Sequence, residues 1–424
     1  MSNKILFLAT RELPLERIME IQTVREMGYK VIMVSNNPTV YNSYNFNHNF
    51  QAPLIEIDKA VPIILDYLKD NEITISGVIA WQDGEEELAS HLTKHLNLPS
   101  CPIEANKKAR NKAETRALLE TLEGNYNPSY EFVTDADSFK KGLAKIGKQC
   151  MLKLAGNSGG RGILSVNPDG NPDEVWNKFI SDNDSSQGGI YECYRDSIIL
   201  EEKLVGSEHS ISGAIADGKV FIFAINDKRI DLDTQLQYQN TTPSHLSDEL
   251  HQKIEKMTVD VMSATGINWR GFHLDFMVTN SGLKILELGA RLGGECINSH
   301  IIPLASYSQL KPYREIINII QGKSTLKETN YSQKFLRKVA SRVIAPPKAG
   351  YITNISGFEK LCNSPYTRHF IQLKGIGDLM IPANEAYEQY KVAYVIAECG
   401  LDEDIDAILD EMIKDVSITI KPKD

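Results

Sequence analysis

The sequence predicts a multi-domain α/β protein, and three observations carry that reading. The chain has 424 residues, more than one hydrophobic core ordinarily serves. Up to about residue 101, short apolar runs alternate with helix-spaced segments, the pattern of a doubly wound parallel sheet. From about residue 128 the rhythm changes to short strands separated by turns. The expected architecture is an N-terminal doubly wound α/β domain, a two-part α+β region and a small C-terminal α+β domain.

Each element follows in order. KILFLAT at 4–10 reads as a buried parallel strand, LERIMEIQTVREMGY as a helix ended by Gly28, and KVIMVSN as the next strand. The helix VPIILDYLKDNE then leads to the strand SGVIAW and the helix GEEELASHLTKHLN. ATRELPLE stands after the first strand where GxGxxG would be needed, which disfavours a dinucleotide-binding domain. LPSCP at 98–102 marks a boundary, and EANKKARNKAETRALLETL reads as one helix beyond it. SYEFV, QCMLKLA, GILSVN, SIILEEKL, HSISGAIA and VFIFAIN read as antiparallel strands, with a helix near 136–146. The segment 226–243, NDKRIDLDTQLQYQNTTP, is weakly patterned and reads as a long binding loop or lid. A helix at 247–265 precedes the strand pair GFHLDFMV and LKILELG, turned by TNSG. The tail alternates strands with the acidic helix DEDIDAILDEMIKD. The expected division is 1–102, 103–204, 205–329 and 330–424.

Composition narrows the function. Lys and Arg number 46 against 56 Asp and Glu, a net charge of −10, which disfavours bulk attraction to nucleic acid or anionic membrane. Six scattered cysteines without a CxxC pair indicate neither a zinc site nor a disulfide framework, so a reducing cytoplasm is the expected location. No apolar run approaches the length of a membrane span, and ILFLA leads directly into charged RELPLER, unlike a signal peptide. Small molecules are the expected partners, and a homodimer the expected assembly.

The chemistry concentrates in a few stretches. Lys108, Lys112 and Arg116 lie four apart on the predicted helix. Alone they read as a solvated basic face, whose mutual repulsion of roughly a few tenths of a kcal/mol per pair an anion would relieve. Lys153 sits in MLKLA just before AGNSGGRG, whose glycines let backbone N–H groups approach phosphate oxygens. A Walker loop places its lysine after the last glycine, so this loop is of another kind. IILEEKLVGSEHS carries Glu201, Glu202 and Glu208. Such acids are ordinarily solvated; their functional reading is a hinge whose backbone binds an adenine edge, with Glu208 accepting from ribose hydroxyls. Asp275 and Glu287 each occupy an apolar strand on either side of the TNSG turn. Facing acids repel, and a hard cation that takes carboxylate and phosphate oxygens relieves that repulsion. Arg291 follows, with a planar fork suited to phosphate or carboxylate.

In this order the motifs resemble the ATP-grasp superfamily over about residues 1–330. The resemblance implies that Lys112 and Lys153 are the two nucleotide lysines and that Ser158, Gly159 and Gly160 form the tip of a mobile flap. It implies that Glu201, Glu202 and Leu204 belong to the adenine hinge, that Glu208 binds ribose, and that Asp275 and Glu287 hold Mg²⁺, or Mn²⁺ in its place. Many members carry E-x-N, whereas ELG here places Gly289 at the asparagine position, which leaves a third protein ligand in doubt. ELGARLGG resembles the L-amino acid ligase branch, in which the arginine, here Arg291, holds the transferred phosphate and the substrate carboxylate. The tail VIAPPKAGYITNISGFE resembles the C-terminal lid of that branch and, more loosely, of biotin carboxylase.

The resemblance implies an ATP-dependent carboxylate–amine ligase working through an acylphosphate, with Lys153 and Arg291 as catalytic cations and a dipeptide as product. Gly294, Glu295 and Glu85 are candidates to line the substrate pocket, and Glu86 stands beside Glu85; a cationic substrate such as lysine or arginine would suit the acids. His273 is a candidate to orient Asp275. The rivals are a carboxylase that activates bicarbonate and a nucleotide-binding regulatory protein without turnover.

Overall fold

The computed structural model describes residues 3–11, 15–157, 162–184, 197–231, 236–324, 326, 335–346, 348–381 and 389–422. Strand β1 (Lys4–Ala9) pairs in parallel with β2 (Lys30–Ser35) and β4 (Gly77–Ile79), and β3 (His48–Gln51) extends the sheet beyond β2. Side chains alternate across a strand, so the unbroken apolar run of β1 divides between two cores. Ile5, Phe7 and Ala9 join the large central core with Ile21 and Val24 of α1 (Arg17–Glu26). Leu6 and Leu8 pack instead on Ile64 and Leu68 of α2 (Ile57–Asp70) and Leu88 and Leu92 of α3 (Glu86–His95).

The single helix expected over 104–122 is two helices, α4 (Ile103–Arg110) and α5 (Lys112–Glu120). Asn111 divides them: its backbone is extended and its side chain accepts from the Ala113 amide, capping the second helix. Lys112 therefore opens a helix, and the expected solvated basic face does not form, since Lys112 and Arg116 are buried.

Strands β5 (Tyr130–Val133), β6 (Cys150–Leu154), β7 (Ile163–Val166) and β8 (Ile198–Glu202) form an antiparallel sheet in the order β5-β8-β6-β7. Helices α6 (Ala136–Ile146) and α7 (Pro172–Asp184) supply Phe139, Leu143 and Phe179 to its core.

The largest sheet is antiparallel and has eight strands. In chain order they are β9 (Gly206–Ala216), β10 (Lys219–Ile230), β11 (Gln237–Thr242), β12 (Arg270–Thr279), β13 (Gly282–Gly289), β14 (Lys338–Ile344), β16 (Thr367–Gln372) and β18 (Ala393–Cys399). Their spatial order is β13-β12-β9-β10-β11-β14-β18-β16, so tail strands continue the central sheet. Helix α8 (Asp248–Thr265) covers it with Ile254, Met257 and Val261. A small sheet, β15 (Gly350–Ser356) between β17 (Leu379–Met380) and β19 (Ser417–Lys421), completes the tail.

The long loop expected over 226–243 is largely a strand pair, with Asp227 opposite Thr241 and Lys228 opposite Asn240. Its polar residues face buried partners rather than water: Asn226 and Asn240 are almost fully enclosed. Apolar alternation is absent from such a strand, so periodicity does not reveal it. Arg270 joins the two α/β parts, donating from β12 to the Glu86 carbonyl at 2.9 Å, Asn106 Oδ1 at 2.6 Å and Ser90 Oγ at 3.2 Å. Among the described residues no helix is long and apolar enough to cross a membrane.

Candidate active site

A cavity of about 250 Å³ lies between the carboxyl ends of β1 and β4 and the β12–β13 hairpin. Sites at strand carboxyl ends are the rule in open parallel sheets. Asp275 and Glu287 are direct register partners across the hairpin, and both line this cavity. Lys228 of β10 reaches over β9 to Asp275 Oδ1 at 3.0 Å and to Glu208 at 2.7 Å. Burial opposes the charge on Asp275, but Lys228 and His273, the latter 3.2 Å away, hold its carboxyl well below the usual range. Burial likewise opposes the Lys228 charge, and the same two carboxylates more than reverse it. Lys112, only 5% exposed, donates to the Asn157 carbonyl at 2.6 Å and stands 3.3 Å from Glu287.

Lys153 is held by Glu201 at 2.7 Å, and Arg116 donates to the other oxygen of that carboxylate at 2.6 Å. Burial pushes Glu201 up, yet Arg116 and Lys153 outweigh it and bring the carboxyl down to about 2. The side chains of the expected hinge are thus structural. Glu201 fixes Lys153, while Glu202 accepts from the Ser129 amide at 2.9 Å and from Lys148 at 2.8 Å. Leu204 follows the end of β8. Ser158, Gly159 and Gly160 lie outside the described residues.

Arg291 forms a two-pronged pair with Asp83, Nε to Oδ1 and Nη2 to Oδ2, each 2.8 Å, and Nη1 donates to the Leu292 carbonyl at 3.0 Å. Asp83 lies in the turn after β4 and also faces Arg110 at 3.6 Å. Although burial raises it, Arg291 and Arg110 hold its carboxyl far below the usual range. Gly293 makes room for the His273 ring, since a Cβ there would fall 2.4 Å from His273 Nδ1.

The remaining substrate candidates separate. Gly294 and Glu295 line the cavity, with Glu295 bonded to Tyr394 at 2.6 Å and paired with the buried Lys391. Glu85 does not line it. Its carboxylate accepts from Thr10 N and Oγ1, Trp81 N and Gln82 N, which locks the turn into α3. Glu86, next to it, is on the wall. Sequence reasoning missed Lys228, Asp83 and Arg110; the acid run WQDGEEE was the only signal for Asp83.

A hard divalent cation fits the hairpin. Two carboxylates stand side by side, and among the described residues no third His, Cys, Asp or Glu completes an all-protein cluster. Magnesium characteristically takes one or two carboxylates and completes its shell with phosphate and water oxygens. A side chain at Gly289 would have room, its Cβ standing 3.9 Å from the nearest atoms, so the glycine there is not enforced by packing.

Residues 146–299 match the family model of the ATP-grasp domain. The chain is 26% identical over 289 residues to the phosphoribosylamine–glycine ligase of Methanococcus maripaludis, covering 62% of this chain but only 61% of that relative. Its structure matches that of an L-amino acid ligase from Bacillus licheniformis with a TM-score of 0.83 at 18% identity, over 99% of this chain and 98% of that one. A biotin carboxylase from Campylobacter jejuni matches with a TM-score of 0.69 at 16% identity, over 99% and 92% of the two chains. At such identities the two structural matches establish the fold.

Proposed function

We propose that the protein is an ATP-dependent carboxylate–amine ligase that joins two amino acids through an acylphosphate. The observation that carries this reading is the meeting, in one cavity, of the Asp275–Glu287 pair with an arginine whose guanidinium plane is fixed by Asp83. A carboxylate oxygen of the first substrate attacks the γ-phosphorus of ATP, forming one P–O bond as the bond to ADP breaks. The amine of the second substrate then attacks the acyl carbon, and phosphate leaves with the C–O electron pair.

Catalysis of the first step is positioning plus neutralisation of charge. Asp275 and Glu287 would hold Mg²⁺, or Mn²⁺, which supplies charge neutralisation among the phosphate oxygens. Lys112 and Lys153 would offset phosphate charge, and Glu208 would accept from ribose hydroxyls. Three N–H groups of Arg291 are engaged by Asp83 and Leu292, which fixes the plane of the fork and leaves its other donors for the reacting carboxylate and phosphate. His273 steadies Asp275. The flap at Ser158, Gly159 and Gly160, the four-part division of the chain and a homodimeric assembly belong to the same proposal.

The test is ATP-dependent phosphate release across single and paired amino acids, with product masses. Release with a matching amide product is expected for at least one pair, and release with none removes the reading. Release that needs bicarbonate and no amino acid selects a carboxylase instead.

A further inference from the structure

Gly294 is followed by two residues in a backbone conformation that side chains disfavour. Glu295 has φ +60° and Cys296 φ +64°, both in the left-handed region. Such a residue costs roughly 1–3 kcal/mol and persists only where its surroundings over-determine it. A π-helical turn, Ile297–Ile301, follows at once, a form frequent at functional sites. The strained pair closes the turn that begins at Arg291, and Arg291 through Glu295 all line the cavity.

The groups that hold this turn come from distant parts of the chain. Where the cavity meets α1, the Cys296 amide donates to Glu16 Oε1 at 2.8 Å. Asn298 donates back to the Gly293 carbonyl at 2.7 Å and accepts from Ser212 Oγ of β9 at 2.6 Å. The tail takes hold of Glu295 itself. Ser341 Oγ of β14 donates to its carbonyl at 3.1 Å, Tyr394 Oη of β18 to its Oε2 at 2.6 Å, and Lys391 Nζ to its Oε1. The Lys391 side chain is fully enclosed, with its ammonium 5.6 and 5.4 Å from the ring centroids of Tyr390 and Tyr394. A buried ammonium stripped of its counter-charge is strongly destabilising, so Lys391 commits Glu295 to the tail.

We propose that Glu295, clamped by Lys391 and Tyr394, is a positioning residue that acts through Arg291. Asp83 fixes the plane of the guanidinium, and Glu295 fixes the course of the backbone that carries it. The carboxylate of Glu295 is matched within the protein, so its task is to hold the turn and not to pair with a substrate charge. The tail strands are then part of the working site and not only a cover over it.

The proposal rests on the ligase reading, in which Arg291 meets the reacting carboxylate and phosphate, and a double-mutant cycle separates the two. Phosphate release and amide product are measured with the amino-acid pair that the native protein turns over. Glu295→Gln and Lys391→Met are introduced together, so that neither charge is buried alone. This clamp variant is expected to fold, to bind ADP as the native protein does, and to lose about ten-fold in kcat with the KM for ATP unchanged. A residue that only stabilises the fold would lower the melting temperature and leave kcat in place. Arg291→Lys is then added. Because Glu295 acts through Arg291, the combined variant should lose no more than Arg291→Lys alone. Multiplied losses overturn the positioning role, as does native kcat in the clamp variant. If the clamp variant does not fold, Tyr394→Phe carries the same cycle, since it removes one bond to Glu295 and no charge; its expected loss is about three-fold. Absence of amide from every amino-acid pair with the native protein removes the ligase reading instead, before any variant is made.

Discussion

The two ends of one cavity treat charge in opposite ways. At the hairpin end each functional cation already has a carboxylate: Lys112 with Glu287, Lys228 with Asp275 and Glu208, Arg291 with Asp83. At the α1 end Glu20 Oε2, 3.2 Å from Arg17, and Trp81 Nε1 are buried and form no hydrogen bond among the described residues. On the proposed function the first arrangement would exchange partners easily, because a metal–triphosphate would bring a cation for the acids and anions for the lysines together. Either component alone would strand half of those charges, so nucleotide and metal binding should reinforce one another.

The comparison is broken most severely at Glu287. Its side chain is 37% exposed, so Glu287→Gln should barely alter folding. Turnover should fall by about 10³-fold, about 4 kcal/mol of lost stabilisation of developing charge. Steady-state phosphate release beside a thermal melt checks this, and full activity in a folded variant would remove the metal assignment.

Glu201→Gln attacks the same end from beneath. Glu201 is the shared counter-charge of Arg116 and Lys153, and all three are buried. Removing one partner of a buried ionic group leaves unpaired charge, so a stability loss of about 3 kcal/mol is expected in chemical denaturation. A surface-like loss well under about 1 kcal/mol would show that the network is not holding the lysine.

Arg291→Lys sharpens the comparison by keeping the charge and removing the fork. An ammonium cannot form the two parallel bonds to Asp83, so the donor plane is lost. Turnover should fall by about 10²-fold, mostly in kcat rather than in the KM for ATP. A drop confined to the KM for ATP would assign Arg291 to nucleotide binding alone.

Much of the hairpin end is legible in the sequence because local geometry specifies it. A two-residue turn in TNSG sets the register up to Phe276 opposite Ile285, and a β-bulge between Asp275 and Phe276 then brings Asp275 opposite Glu287 rather than Leu286. Lys228 is hidden by the same sheet: its strand carries Asn, Asp, Lys and Arg in succession, with no apolar alternation to reveal it. Asp83 is hidden among like neighbours. Nothing in WQDGEEE says that Asp83 reaches Arg291 while Glu85 turns inward to bind four backbone and hydroxyl donors. That choice is made by contacts more than 200 residues away in sequence. Asn111 shows a third kind of failure, a cap that interrupts a helix whose periodicity continues on both sides. The α1 end is illegible for a related reason, since its acids come from residues 16–20 and its aromatic rings from residues 81 and 313.

The smallest expected effect tests the α1 end through pH. Glu20 is raised from its ordinary 4.5 to about 8 by burial, with Glu16 and Glu85 adding to the rise and Arg17 opposing it. Tyr313 and Tyr41 also face this cluster, but both titrate well above the window concerned. Between about pH 4.5 and 8 the folded protein keeps a proton that the unfolded chain has released, so this contribution to stability is full below the window and lost as pH rises through it. Glu20→Gln is neutral in both states and removes the slope. The denaturation midpoint of the native protein should therefore fall relative to that of the variant as pH is raised from about 5 to about 9. A constant difference would mean that Glu20 stays ionised against Arg17 throughout, and the α1 end would then be as fully paired as the hairpin end.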